Sequence, residues 1–295
     1  MLNAKIPLLV TGSSGLVASH LITLFKSKYQ FTGLDISNPQ NPVDITKLDQ
    51  VKSALATAQA DFLVHFAAFT DVTRAWQENG DKNGLAYQIN VLGTENIVRA
   101  CQEFGKHLIH ISTAYVFDGQ KNTPYTETDI PHPIEWYGQT KWEAEQIVSS
   151  AQTNWTILRI DQPFGSLPAK KPDVVQKIIT NLKNKTLPPQ FTNHTFGPTF
   201  IDDFTKVIDW VIRTKTTGLL HASSGESWND YDFALTIKNA LKLDEIIKPG
   251  DLDAYLKTTN RPYQINTAMD CQKLISQLDF SLTPIKAALQ KICLA

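Results

Sequence analysis

A chain of 295 residues, 42% of them hydrophobic, is long enough to bury a substantial core in one large domain or two intimate lobes. Its formal net charge of -1 argues against nucleic acid or a strongly acidic surface as a partner, because both usually need a basic excess. Three scattered cysteines (Cys101, Cys271, Cys293), no cleavage-site pattern after MLNAKIPLLVTG and no run near the roughly 20 apolar residues that span a bilayer predict a cytoplasmic protein with reduced thiols and no membrane contact.

The first apolar run predicts a strand over Pro7–Thr11, and TGSSGLVASH follows it at once. Thr11–Ala18 reads T-G-x-x-G-x-x-A. Glycine permits a tight turn and close approach of backbone to a pyrophosphate, and the helix predicted over Gly15–Lys28 offers its free N–H groups and positive dipole end. On its own the motif fits a plain strand-to-helix turn equally well. The context favours a dinucleotide: a strand before, a helix after, and Asp35 closing the next predicted strand, Phe31–Asp35. A carboxylate there accepts the ribose hydroxyls of NAD and repels the 2′-phosphate of NADP. No Arg or Lys follows closely, so NAD is expected and NADP is the alternative. The bland reading of Asp35 is a turn or helix-capping residue.

Further along, helices are predicted over Leu48–Ala58, Asn83–Phe104 and Gln139–Ser150, and strands over Phe62–Ala67, Leu108–Ser112 and Trp155–Ile160. Helices alternating with almost continuously apolar strands predict an α/β protein with a doubly wound parallel (Rossmann) sheet covered on both faces. After Asp161 the rhythm changes. Gly165–Pro172 and the proline-containing Leu187–Thr199 read as loops, Ile201–Thr214 as a helix returning to the sheet and Gly218–His221 as a short strand. The expected organisation is a nucleotide-binding lobe of residues 1–160 plus about 198–222. A smaller interleaved substrate lobe takes about 161–197 and 223–295, with the cleft between them.

YGQTK supplies the chemistry. Tyr137 and Lys141, four positions apart on a helix, share one face, and a nearby ammonium stabilises tyrosinate. Such a phenol can protonate a carbonyl oxygen as hydride reaches the carbon, or deprotonate an alcohol in reverse. The alternative is an amphipathic helix with a snorkelling lysine. In HLIHISTAYVFDG, Ser112 or Thr113 ends a strand at the cleft and offers a hydroxyl to a substrate oxygen, unless it only caps local backbone.

Taken in order, T-G-x-x-G-x-x-A, HFAAFTDV, INVLGTEN, ISTAYVFDG and YGQTK resemble the extended short-chain dehydrogenase/reductases. YTETDIPHPIEWYGQTK, FGPTFIDDF, GLLHASSGESWNDYDFA and RPYQINTAMDCQKL bring the resemblance closest to the dTDP-4-dehydrorhamnose reductase family, over essentially the whole chain. The resemblance implies NAD(P)H-dependent reduction of a keto group on a nucleotide-linked deoxysugar, with Thr113, Tyr137 and Lys141 as the catalytic trio. It implies cofactor contacts from Gly12, Ser14, Gly15, Leu16, Val17 and Asp35, from Asp44 and Ile45 near the adenine, and from Phe66, Ala67, Ala68 and Asn90. Lys141 would also hold the nicotinamide ribose, and Pro163 and Phe164 would border the ring.

The chain departs from the family at Ala18, where the fingerprint usually ends in glycine, and at Ala114, where these reductases usually carry aspartate. Ala114 and Tyr115 also replace the acidic pair of the related dehydratases. The same trio serves oxidation and C4 epimerisation, so a sugar-nucleotide epimerase or sugar dehydrogenase is the alternative. Relatives of this family include a cofactor-binding regulatory subunit of methionine adenosyltransferase, the rival from another class. A homodimer is a further expectation for the superfamily.

None of the histidines has metal-ligand spacing, so no metal is expected. His65 and His110 on strands read as core or near-cofactor residues. His132 and His194 read as weak substrate contacts, together with Ser112, Ala114, Tyr115 and Arg261. Arg261 suits a diphosphate or a surface ion pair equally. Trp76, Trp136 and Trp228 could stack on a base or sugar, but large aromatics more often pack.

Overall fold

Six strands make the central sheet of the protein, in a computed structural model that describes residues 4–168 and 171–294. They are β1 (Ile6–Thr11), β2 (Tyr29–Leu34), β3 (Phe62–His65), β4 (His107–Thr113), β5 (Trp155–Ile160) and β6 (Gly218–His221). All pair in parallel, in the order β6-β5-β4-β3-β1-β2. The longer helices are α1 (Leu16–Phe25), α2 (Leu48–Ala56), α3 (Thr94–Glu103), α4 (Trp136–Ser149), α5 (Val174–Lys183), α6 (Ile201–Thr214), α7 (Asp230–Ala240) and α8 (Ile285–Leu294). From β1 the chain winds outward to β2, then returns past β1 to β3 and winds the other way. The direction therefore reverses between β1 and β3, and a crevice opens above their carboxyl ends.

The pleat explains why the central strands are apolar on both sides. Leu8 and Val10 turn to one face and pack with Leu21 of α1 and with Phe204, Ile208 and Val211 of α6. Leu9, Leu63 and Leu108 turn to the other and meet Val51 and Leu55 of α2, Ile97 and Cys101 of α3 and Val148 of α4. Each fully buried Leu or Val contributes about 2 kcal/mol. Edge strand β2 instead alternates, with Gln30 and Thr32 exposed. A separate core lies beyond the sheet, where Phe164, Ile178, Phe196, Phe233, Ile237 and Ile285 converge.

The doubly wound sheet is as expected, and β5, α6 and β6 match their expected elements. Three local departures have physical reasons. The helix expected over Asn83–Phe104 is interrupted, because Gln88–Gly93 forms a wide π turn between Leu85–Tyr87 and α3. Such turns often mark functional sites, and this one carries Asn90. Helix α4 begins at Trp136 rather than Gln139, capped by Glu135, a residue type rarely chosen for that position. Helix α5, absent from the sequence reading, is opened by a reciprocal Asp173–Gln176 capping box. Leu187–Thr199, read as loop, also contains the two-residue strands Gln190–Phe191 and Thr195–Phe196.

Candidate functional site

A cleft of about 640 Å3 sits above the β1/β3 switch point. At its floor Gly12 adopts φ +60°, and a Cβ there would lie 2.8 Å from the backbone of Ala67, so only glycine closes this turn. Ser14, Gly15, Leu16 and Val17 continue the lining onto α1. Gly15, the N-cap of α1, provides no side-chain cap, which leaves the first-turn N–H groups for a ligand. Thr11 holds the floor together: its Oγ1 accepts from the Ala67 N–H at 3.1 Å and pairs with His65 Nδ1 at 2.7 Å. His65 Nε2 lies 3.1 Å from Thr94 Oγ1, which itself donates to the Asn90 carbonyl. That chain assigns the His65 proton to Nε2. Burial, helped by the Lys141 charge, pushes His65 down to about 3, so the ring is neutral.

Asp35 follows directly on β2, which ends one residue earlier than expected, at the rim of the cleft. Its carboxylate accepts from the Ser14 N–H (2.8 Å) and Oγ–H (2.7 Å) and from the Ser37 N–H (2.8 Å) and Oγ–H (2.7 Å). Burial raises this carboxyl, but the four hydrogen bonds outweigh it and hold Asp35 below its ordinary value. It is therefore a fixed anion. Asp44 and Ile45 line the same end, and Phe66, Ala67 and Ala68 line the middle.

At the other end Thr113 closes β4 and accepts from the Tyr115 N–H at 3.2 Å. Helix α4 enters beside it. Glu135 accepts from the N–H groups of Tyr137 (2.8 Å) and Gly138 (2.6 Å), and a Cβ on Gly138 would lie 2.2 Å from the Tyr115 carbonyl. Position 138 thus allows the helix to seat against the turn after β4. Burial pushes the Glu135 carboxyl up to about 7. Tyr137 and Lys141 lie on the cleft side of α4, with Tyr115 and Tyr137 edge to face at 5.9 Å. Lys141 Nζ donates to the Ile111 carbonyl at 2.8 Å and lies 3.3 Å from His110 Nε2. Burial lowers its ammonium to about 8. The phenol of Tyr137 is raised, first by burial and then by the Glu135 carboxylate; the Thr113 hydroxyl opposes this and Asp161 adds to it. The expectation that Lys141 depresses this phenol is corrected: the ammonium is engaged with β4, and Tyr137 is held protonated.

Several anticipated residues are placed elsewhere. Asn90 is not at the cleft; its amide accepts from the Phe69 N–H at 2.8 Å and donates to the Phe69 carbonyl and to Thr140 Oγ1, tying the π turn to α4. Phe164 is fully buried against Phe200 and Phe233, so Pro163 alone of that pair lines the cleft. Ala114 packs into a core with Val116, Phe117 and Met269, facing away from the site. Ser112 reaches the lining but gives its hydroxyl to Glu145. His194 stacks on Phe196 and bonds Asp230 at 2.7 Å, and His132 is exposed beside Asp118. Neither lines the cleft. Arg261 lies over the Tyr263 ring at 3.7 Å, outside the lining. Trp136 packs near Tyr87 and Trp228 against Phe233, as bland packing would have them. His65 and His110 are buried, as core histidines.

Other lining residues went unread: Ile36, Val43, Thr70, Val72, Lys171 and above all Asp161 and Gln162 at the end of β5. Asp161 carried a legible signal, an acid directly after the last residue of a buried strand. Among the described residues no cluster of His, Cys, Asp and Glu could hold a metal ion, and no helix is long and apolar enough to cross a membrane.

The family model described as the RmlD substrate binding domain matches residues 6–294. A dTDP-4-dehydrorhamnose reductase of Aggregatibacter actinomycetemcomitans is 28% identical, covering 94% of this chain and 94% of that protein. The methionine adenosyltransferase 2 subunit beta of Xenopus laevis is 26% identical over 96% of this chain and 86% of its own. Among solved structures, dTDP-4-dehydrorhamnose reductase from Bacillus anthracis in complex with NADP superposes with a TM-score of 0.88, at 24% identity over 99% of both chains, a likeness of fold.

Proposed function

The chain belongs to the RmlD substrate binding domain family, and from that premise we propose that it is an oxidoreductase reducing a keto group on a nucleotide-linked deoxysugar, of the kind its reductase relatives are named for. The observation that carries the reading is the meeting of Thr113, Tyr137 and Lys141 at one end of a cleft whose other end is built for a dinucleotide.

The residues present fit a nicotinamide cofactor. The Gly12 turn admits a phosphate where a Cβ would clash, α1 points uncapped N–H groups at it, and Asp35 stands where a ribose would lie. When bound, that cofactor supplies or accepts the hydride. Tyr137, held protonated, gives its proton to the carbonyl oxygen; Thr113 orients that oxygen with its hydroxyl. Lys141, an ammonium while the pH is below about 8, would hold the nicotinamide ribose at this end of the cleft. The apolar side chains of Phe66, Ile111 and Ile160 in the lining exclude water from the transfer.

The direct test follows NADH and NADPH oxidation by purified protein with dTDP-4-dehydrorhamnose. Turnover with either supports the reading. Tight cofactor binding without turnover on any nucleotide-linked keto sugar would point instead to a regulatory role, in keeping with the methionine adenosyltransferase subunit among its relatives. The fixed Asp35 anion makes a second prediction. It repels a 2′-phosphate, so NADH should be preferred, and Asp35→Ser should move the ratio of kcat/KM values towards NADPH by about tenfold or more. An unchanged ratio would show that Asp35 does not read the ribose.

A further inference from the structure

At the carboxyl end of β5, Asp161 is 2% exposed yet lines the cleft. Everything around it is fixed. Its N–H donates to Thr199 Oγ1 at 3.1 Å, and the same hydroxyl donates to its carbonyl at 2.7 Å. Its Oδ2 accepts from the Gly197 N–H at 3.0 Å and from Thr267 Oγ1 at 2.6 Å. Oδ1, by contrast, has no hydrogen-bond partner among the described residues. The next residue, Gln162, also in the lining, holds φ +39°, a conformation that costs energy away from glycine. A buried carboxylate oriented by two neighbours, with one oxygen left over and strained backbone beside it, is built to receive a donor from outside the chain.

The location says which donor. Ile160, the residue before Asp161, is the register partner of Thr113 across β4 and β5, and Tyr115, Tyr137 and Asp161 line the same cleft beside it. Tyr137 marks the position of the reacting carbonyl oxygen, so a group held by Asp161 belongs to the same sugar ring and not to the nucleotide. We propose that Asp161 determines sugar specificity, its Oδ1 accepting a hydrogen bond from the hydroxyl on the carbon next to the reacting carbonyl. The assignment rests on the reductase reading above for the identity of the sugar, and it adds a residue to which that reading gave no role. Sugars lacking that hydroxyl leave the carboxylate buried and unpaired, and are rejected for that reason.

The test is calorimetric titration of the NAD-loaded protein with dTDP-rhamnose, its 3-deoxy counterpart and dTDP alone. Wild type should prefer the hydroxylated sugar by about tenfold or more. Asp161→Asn should lose that preference while binding dTDP and cofactor as before. Thr267→Val, which unpins the carboxyl without removing it, should narrow the preference and serves should the first variant fail to fold. Equal affinity of wild type for the two sugars overturns the proposal, as does a preference untouched by both substitutions. So does a wild type that binds dTDP-rhamnose no better than dTDP. Turnover is followed in parallel. Absent reduction with discrimination intact overturns the reductase reading and leaves Asp161 its role, whereas turnover without discrimination does the reverse.

Discussion

Tyr137→Phe is expected to lower kcat by about 10³-fold, within the range of lost general-acid catalysis, and to leave cofactor affinity within about a factor of two. The substitution removes one oxygen and keeps the ring that packs edge to face with Tyr115. The helix start is unaffected, because Glu135 caps backbone N–H groups and not the phenol. What disappears is the proton donor that lines the cleft together with Thr113 and Lys141. Burial and the Glu135 and Asp161 carboxylates hold this phenol protonated, which suits a donor in the reductive direction. Pre-steady-state NADH oxidation, with a fluorescence titration of cofactor, separates the two quantities. A loss below about tenfold would mean that another group donates, and Tyr115, its neighbour in the lining, would then be the next residue to change.

Much of this site was legible because it rests on local patterns. The glycine turn, the acid just after β2 and the Tyr137–Lys141 spacing each lie at one strand end, one turn or one helix, where periodicity speaks directly. Adjacent residues were harder to separate. Thr113 and Ala114 were both placed at the substrate, and Pro163 and Phe164 both at the cofactor. In each pair one side chain faces the cleft and its neighbour faces a core: Pro163 and Phe164 alternate along extended backbone, whereas Ala114 opens the 3-10 turn Ala114–Val116 that follows β4. This removes the force of Ala114 as a mark of altered substrate: here the position is core. Asn90 and Ser112 show another limit. Their partners, Phe69, Thr140 and Glu145, lie 21 to 50 residues away in the chain, and only the folded structure brings them together. The same holds for Lys141, whose attraction to the Ile111 carbonyl and His110 could not be read from YGQTK.

Below that machinery lies the interaction whose loss should matter most for stability. Glu145 follows Lys141 by one turn on α4 and forms a bidentate pair with Arg159 of β5, at 2.6 and 2.9 Å, with the two side chains only 2% and 1% exposed. Ser112 of β4 donates to the same carboxylate. Arg159 Nη1 lies 3.4 Å from Nε2 of His221 on β6, and the His221 Nδ1 proton goes to the carbonyls of Tyr125 and Asp270. Burial and the Arg159 charge push His221 down to about 3, so the ring accepts from the guanidinium as a neutral imidazole. The guanidinium also sits over the Phe117 ring at 5.0 Å. One ion pair thus joins three strands to the helix that carries Tyr137. Removing one partner strands the other charge in a dry interior, so Glu145→Ala or Arg159→Met should each cost about 3–5 kcal/mol. Glu145→Leu combined with Arg159→Met removes both charges and should cost less than either single change, since the pair's attraction largely offsets its own desolvation. Urea unfolding measures this as a fall in midpoint at constant m. Single variants within about 1 kcal/mol of wild type would mean that water reaches the pair, and the coupling of strand to catalytic helix would have to come from packing alone.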